Sequence, residues 1–298
     1  ALKVAFDWKA RKNISEGKKI PKNLVIHLKD CFHGRSGYTM SLTDSPDPRK
    51  VQYFPKFEWP RITTPAMIFP MNQENTEAVI KLEKKSINEL KAVLHDNPDE
   101  VACLILEPIQ GEGGDNHFRS EFFRTLKTLS LENDFLLIYD EVQTGVGITG
   151  EMWAHQHFCM PKCDRSCLVH CKAIEPDIIS FGKKTQCCGI FAGNRLNEVE
   201  NHVFQESSRI NSTFGGNLVD MVRFKIILEA IQEFNLLENA KTNGQYLLDE
   251  IIKLEEQFPA FVINSRGLGL FCSFDLPSPD ERDQLVQETY KNNLIILG

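Results

Sequence analysis

The chain has 298 residues, long enough for one large α/β domain and part of a second. With 42% apolar and 25% charged residues it has the balance of a globular protein, and a net charge of −7 argues against nucleic acid or an anionic membrane surface as partner. No apolar run reaches the ~20 residues that span a bilayer, the start has no signal-peptide layout, and nine cysteines without disulfide-scaffold spacing imply a reduced, cytoplasmic setting.

Residues 1–10 place Leu2, Ala5, Phe6 and Lys9 on one stripe and read as the end of an amphipathic helix. The run 23–28 is a strand that ends in a loop from Cys31 onward. Pro46, Pro48, Pro55, Pro60 and Pro65 predict an irregular stretch from Ser45 to Pro70. Val79, Leu82, Ile87, Leu90 and Leu94 recur at helical spacing over 74–95. Apolar strands follow at 101–107, 135–141, 177–182 and 189–193, with a helix at 120–134 for which Ser120 is the expected N-cap. These strands are apolar throughout, without alternation, which predicts an α/β fold: a mostly parallel central sheet covered by helices on both faces.

Such sheets bind ligands beyond the carboxyl ends of their strands. Here those ends carry Glu107 and Asp140, and Lys183 and Lys184 lie just past a third. Residues 217–257 read as helical with a break near Asn235, 266–276 as a single strand, and 280–290 as a helix. The final LIILG reads as part of another strand. The expected organisation is a large domain over 1–257, including a long connecting helix, and the start of a smaller C-terminal α+β domain over 258–298.

Five separated motifs stand in order: FHGR (32–35), EPIQGEGGD (107–115), DEVQTGVGITG (140–150), FGKKTQ (181–186) and NSTFGGN (211–217). Together they resemble the class III aminotransferases, enzymes of fold type I that use pyridoxal phosphate. Within that class the motifs are most similar to the branch that moves the terminal amine of L-lysine to 2-oxoglutarate. 4-Aminobutyrate or other ω-amino acid transaminases share FHGR and the EPIQ-x-EGGD pattern and are the alternative. A scaffold with a decayed site is the alternative from outside enzymes, and the presence of both Asp140 and Lys184 speaks against it.

In such enzymes the cofactor is the electron sink, and the protein supplies a deprotonated lysine and a carboxylate for the pyridinium nitrogen. The resemblance assigns these roles to Lys184 and Asp140. It sets Gln143 near the ring's phenolic oxygen, with Val142 and Phe32 on the two ring faces. Read alone, Phe32 and Val142 are ordinary core residues; His33 either supports the site from behind or is structural, the more common role of a lone histidine. Arg35 is implied for the substrate carboxylate, which a planar guanidinium can hold in a fork. Glu112 is implied as a gate that pairs with a later arginine and swings aside for the second substrate. Glu107 is implied near the substrate, although alone it reads as a surface charge. Thr213 is implied to reach the cofactor phosphate of the neighbouring subunit, and hence a homodimer with shared sites.

Two parts of the family pattern are expected outside the chain: the phosphate-cupping turn before Ala1 and an arginine for the far carboxylate of 2-oxoglutarate beyond Gly298. The chain therefore reads as an internal piece that binds cofactor poorly. Cys159, Cys163, Cys167 and Cys171 recur every four residues in an insert. They could hold a structural metal, but zinc sites more often use paired C-x₂-C hairpins, so free thiols in a surface loop are the favoured reading.

Overall fold

The computed structural model describes residues 1–159 and 174–297. Its centre is a six-stranded sheet in the order β2-β1-β3-β4-β5-β6. The strands are β1 (Leu24–Leu28), β2 (Arg61–Ile62), β3 (Val101–Leu106), β4 (Leu136–Asp140), β5 (Ile178–Phe181) and β6 (Gly189–Ala192). All neighbours are parallel except β5 and β6.

Alternate residues of the central strands serve opposite faces, and β3 and β4 are dry on both. Ile26, Leu104, Leu106, Leu137 and Tyr139 pack under Leu90 of α3 (Gln73–Asp96) and Phe122, Phe123 and Leu126 of α4 (Ser120–Glu132). Val25, Cys103, Ile105, Leu136, Ile138 and Ile178 pack against Val4, Ala5 and Trp8 of α1 (Leu2–Ser15). Burying each large side chain contributes about 1.5–3 kcal/mol, which explains why the strand sequences are apolar throughout. The predicted α/β architecture is the one observed.

Local chemistry sets the ends of the helices. Asn72 caps α3 by accepting from the Asn75 amide (2.8 Å), and Asn217 caps α5 (Leu218–Glu233) by accepting from the Asp220 amide (3.0 Å). Asn235, at φ +49°, makes the break before α6 (Leu236–Gln257). Arg119, not Ser120, occupies the N-cap of α4, so that helix begins one residue away from the expected cap.

Four other expectations are corrected. The proline-rich stretch contributes β2 to the sheet edge, and the loop after Cys31 contains the short helix α2 (Gly37–Leu42). The segment 266–276 is a hairpin, β7 (Ile263–Leu268) and β8 (Phe271–Asp275), turned at Gly269 with φ +56°. After α7 (Pro279–Lys291), residues 294–297 join no strand; the Leu294 amide instead donates back to the Thr289 carbonyl (2.9 Å). No helix among the described residues is long and apolar enough to cross a membrane.

Candidate active site

The parallel strands deliver their last residues to one rim. Asp140 ends β4 and pairs in register with Ser180 of β5. Its Oδ1 accepts from the Ser180 hydroxyl (3.0 Å) and the Val142 amide (3.2 Å), and its Oδ2 lies 2.8 Å from His33 Nδ1. The His33 side chain has no solvent exposure. Burial alone would lower its pKa, but Cys31 and the Asp140 carboxylate beside it raise it well above 6.5. Asp140 thus has a buried histidine in hydrogen-bond contact on one side, and His33 stands directly behind the site carboxylate.

Glu141, the next residue, is completely buried and points its acceptors at the following turn. It takes bonds from Thr144 Oγ1 (2.5 Å), the amides of Ala154 and His155 (3.0 Å each) and His155 Nδ1 (3.0 Å). That network fixes the backbone carrying Val142 and Gln143. Lys184 Nζ donates to the Gln143 carbonyl, and Lys183 Nζ donates to Gln143 Oε1 (2.8 Å). Burial, reinforced by the neighbouring Lys183 charge, lowers the Lys184 pKa to about 8. A larger share of free amine at neutral pH is what a nucleophilic lysine needs.

Glu107, just past β3, is buried, not a surface charge. It accepts from the Phe32 amide (2.9 Å) and the Gly111 amide (3.2 Å), so it ties the FHGR loop to the EPIQGEGGD loop. Burial pushes its pKa up to about 7 against the opposing pull of His33 and the two amides. Phe32 and Val142 are both half-buried, so neither is an ordinary core residue.

The glycines at 111 and 113 have a direct cause. A Cβ on Gly111 would sit 2.5 Å from the Gln143 amide nitrogen, and one on Gly113 would sit 2.0 Å from the Asp30 carbonyl oxygen. The loop carrying Glu112 therefore lies flat against both Gln143 and the FHGR side of the rim. From beneath, Arg266 donates to the carbonyls of Asp115 (2.9 Å) and Gly114 (2.5 Å) and pairs with Asp275 (2.8 Å). Glu112 itself pairs with Lys50 and accepts from Ser45 Oγ (2.9 Å). Its ion-pair partner among the described residues is Lys50, an upstream lysine in the proline-rich stretch.

The structure thus gathers Lys184, Asp140, Gln143, Val142, Phe32, Glu107 and Glu112 on one rim. Arg35 and Thr213 are exposed, and Arg35 makes no ion pair among the described residues. Of the four clustered cysteines, Cys159 is described and is partly buried, while Cys163, Cys167 and Cys171 lie outside the described residues. No group of three metal-ligating side chains occurs among the described residues. Sequence reasoning missed Ser180, Glu141 and Lys50. The first two follow from pairing register and burial; Lys50 carries no motif at all.

The class III aminotransferase family matches residues 1–298, the whole of this architecture and its rim. The chain belongs to the class III aminotransferases. It is 45% identical over 298 residues to the L-lysine-epsilon aminotransferase of Mycobacterium tuberculosis, covering 100% of this chain and 62% of that protein. A solved lysine aminotransferase from M. tuberculosis, in its internal aldimine form, superposes with a TM-score of 0.91 at 45% identity, over 100% of this chain and 64% of that one. The 4-aminobutyrate aminotransferase of Schizosaccharomyces pombe is 33% identical over 280 residues, 93% of this chain and 55% of that protein. The fold is that of the aminotransferases of fold type I, and the chain spans less than two thirds of the length of these relatives.

Proposed function

We propose that the protein containing this chain is a pyridoxal-phosphate-dependent transaminase that takes the terminal amine of L-lysine and passes it to 2-oxoglutarate, giving glutamate and the lysine-derived semialdehyde. The observation that carries this reading is the meeting on one rim of a lysine with lowered pKa, Lys184, and a strand-end carboxylate held by a buried histidine, Asp140. The rim fits the cofactor in chemistry: Lys184 to hold its aldehyde carbon, Asp140 for the ring nitrogen, Phe32 and Val142 for the ring faces and Gln143 for the phenolic oxygen. When bound, pyridoxal phosphate supplies an electron sink for the carbanion formed at the amine-bearing carbon.

Lys184 then acts as the base that takes the proton from that carbon, a role suited to an amine titrating near 8. Arg35 is exposed and free to take a substrate carboxylate, and Glu112 lies where a substrate ammonium can reach it. Glu107 orders both loops from behind, so its part in substrate binding is positional.

The active unit is proposed to be a homodimer in which Thr213 serves the neighbouring site. Thr213 is exposed at the start of a surface that also bares Phe214, Leu218, Val219 and Val222. An apolar patch of that kind calls for a protein partner. The free thiols at Cys31, Cys103, Cys187, Cys188 and Cys272 suit a reducing cytoplasm. The end of α6 at Gln257 suits a boundary between the large domain and a smaller one.

The test is reconstitution of the full chain with pyridoxal phosphate. The long-wavelength absorbance of lysine-bound cofactor is expected in the parent and absent in Lys184→Ala; an unchanged spectrum overturns the assignment. Turnover of L-lysine is expected to exceed that of 4-aminobutyrate, and the reverse order assigns the protein to the alternative substrate.

A further inference from the structure

Lys50 has no role in the reaction as described so far, yet it sits where the site meets its cover. Residues Pro48–Lys50 form a single 3₁₀ turn, capped by the Asp47 side chain accepting from the Arg49 amide (3.1 Å). That turn brings Lys50 to two site residues at once. Its ammonium pairs with Glu112 and lies 5.9 Å from the centre of the Phe32 ring. Ser45, from the same stretch, holds the same Glu112 oxygen at 2.9 Å. The lysine and glutamate side chains are only 20% and 30% exposed, so their interaction is shielded from water more than a surface pair would be.

The chemistry that follows is competition. An ammonium from the substrate that approaches the Glu112 carboxylate competes there with the Lys50 cation, which already neutralises it. A dicarboxylate entering the same space meets the Lys50 cation once Glu112 turns away. We propose that Lys50 is a specificity-determining residue that weakens the hold on ammonium-bearing ligands and strengthens the hold on dicarboxylates, so that one site accepts both in turn. This rests on the proposed substrate role of Glu112, and a bare tether for the 45–50 stretch would produce no such opposition.

Binding of pentane-1,5-diamine and of glutarate to the cofactor-free full chain, measured by calorimetry, separates the two. In Lys50→Met the diamine should bind roughly fivefold more tightly and glutarate roughly fivefold more weakly, the scale of one partly shielded ion pair. Lys50→Arg should restore the parent pattern, and Glu112→Gln should remove the gain for the diamine. The proposal is overturned if both ligands shift in the same direction, if neither shifts, or if the parent binds neither. A melting curve of Lys50→Met matching the parent guards against misfolding, and should that variant melt early, the Lys50→Arg and Glu112→Gln arms decide. Neither probe is turned over in the absence of cofactor. Failure of the holoenzyme to use L-lysine would therefore sink the proposed reaction without touching these shifts.

Discussion

The carboxylates at the strand ends and the carboxylate in the loop above them are held in opposite ways. Glu107, Asp140 and Glu141 are each 8% exposed or less and spend their oxygens on amides, hydroxyls and histidines that cannot leave without breaking the rim. Glu112 is partly exposed and is held by two side chains, Lys50 and Ser45, both from a proline-rich stretch with a single short turn. The first group is a fixed electrostatic floor, the second a partly exposed side-chain contact that can be exchanged without disturbing the rim. An enzyme that must admit two unlike substrates needs both: charge pre-positioned where the chemistry occurs and an adjustable charge where the substrates differ.

That contrast can be broken at its strongest point. Glu141→Ala strands the His155 ring and two backbone amides in a dry interior, and the expected loss of stability is about 3–5 kcal/mol by chemical denaturation. A loss of under 1 kcal/mol would mean that the rim is not held by its carboxylates.

A second test sharpens the floor's chemistry. With a pKa near 8, about one in ten Lys184 side chains is a free amine at pH 7, against about one in 3,000 for an ordinary lysine. Because burial lowers this pKa, the reactive form gains as pH rises through 8. The rate at which the cofactor-free chain reacts with pyridoxal should then rise with a midpoint near pH 8, and Lys184→Arg should remove that phase. A midpoint near 10.5 would count against a desolvated Lys184.

The smallest effect belongs to the loop. Glu112→Gln should change folding stability by about 1 kcal/mol or less, as for partly exposed pairs generally, while shifting ligand affinity. A thermal melt as damaged as that of Glu141→Ala would erase the distinction between floor and cover.

The sheet and most helices were legible because their signals are local and repeated: apolar runs at 101–107 and 135–141, helical spacing over 74–95, and an Asn at the break near 235. Elements fixed by tertiary pairing were not. β2 is two residues long and exists through its neighbour β1, and the hairpin at 263–275 hides its turn in a glycine that reads as one more small residue. The site divided the same way. The motifs led to Lys184, Asp140, Gln143 and Phe32, whereas His33 as the partner of Asp140, Glu107 as buried tie and Lys50 as the partner of Glu112 depend on distances that spacing does not encode. Glu107 shows the reason most clearly, since burial alone separates a tie from a surface charge.

The hairpin joins the two loops mechanically. Arg266 on β7 grips the carbonyls of Gly114 and Asp115, while the hairpin turn rests on the DEVQTGVGITG loop: the Leu270 amide donates to the Ile148 carbonyl (2.8 Å), and a Cβ on Gly269 would fall 2.4 Å from the Thr149 carbonyl carbon. The hairpin is in effect a yoke with one arm on each loop. A tilt of a few degrees would move both loops in phase, so the EPIQGEGGD and DEVQTGVGITG loops behave as one mechanical coordinate.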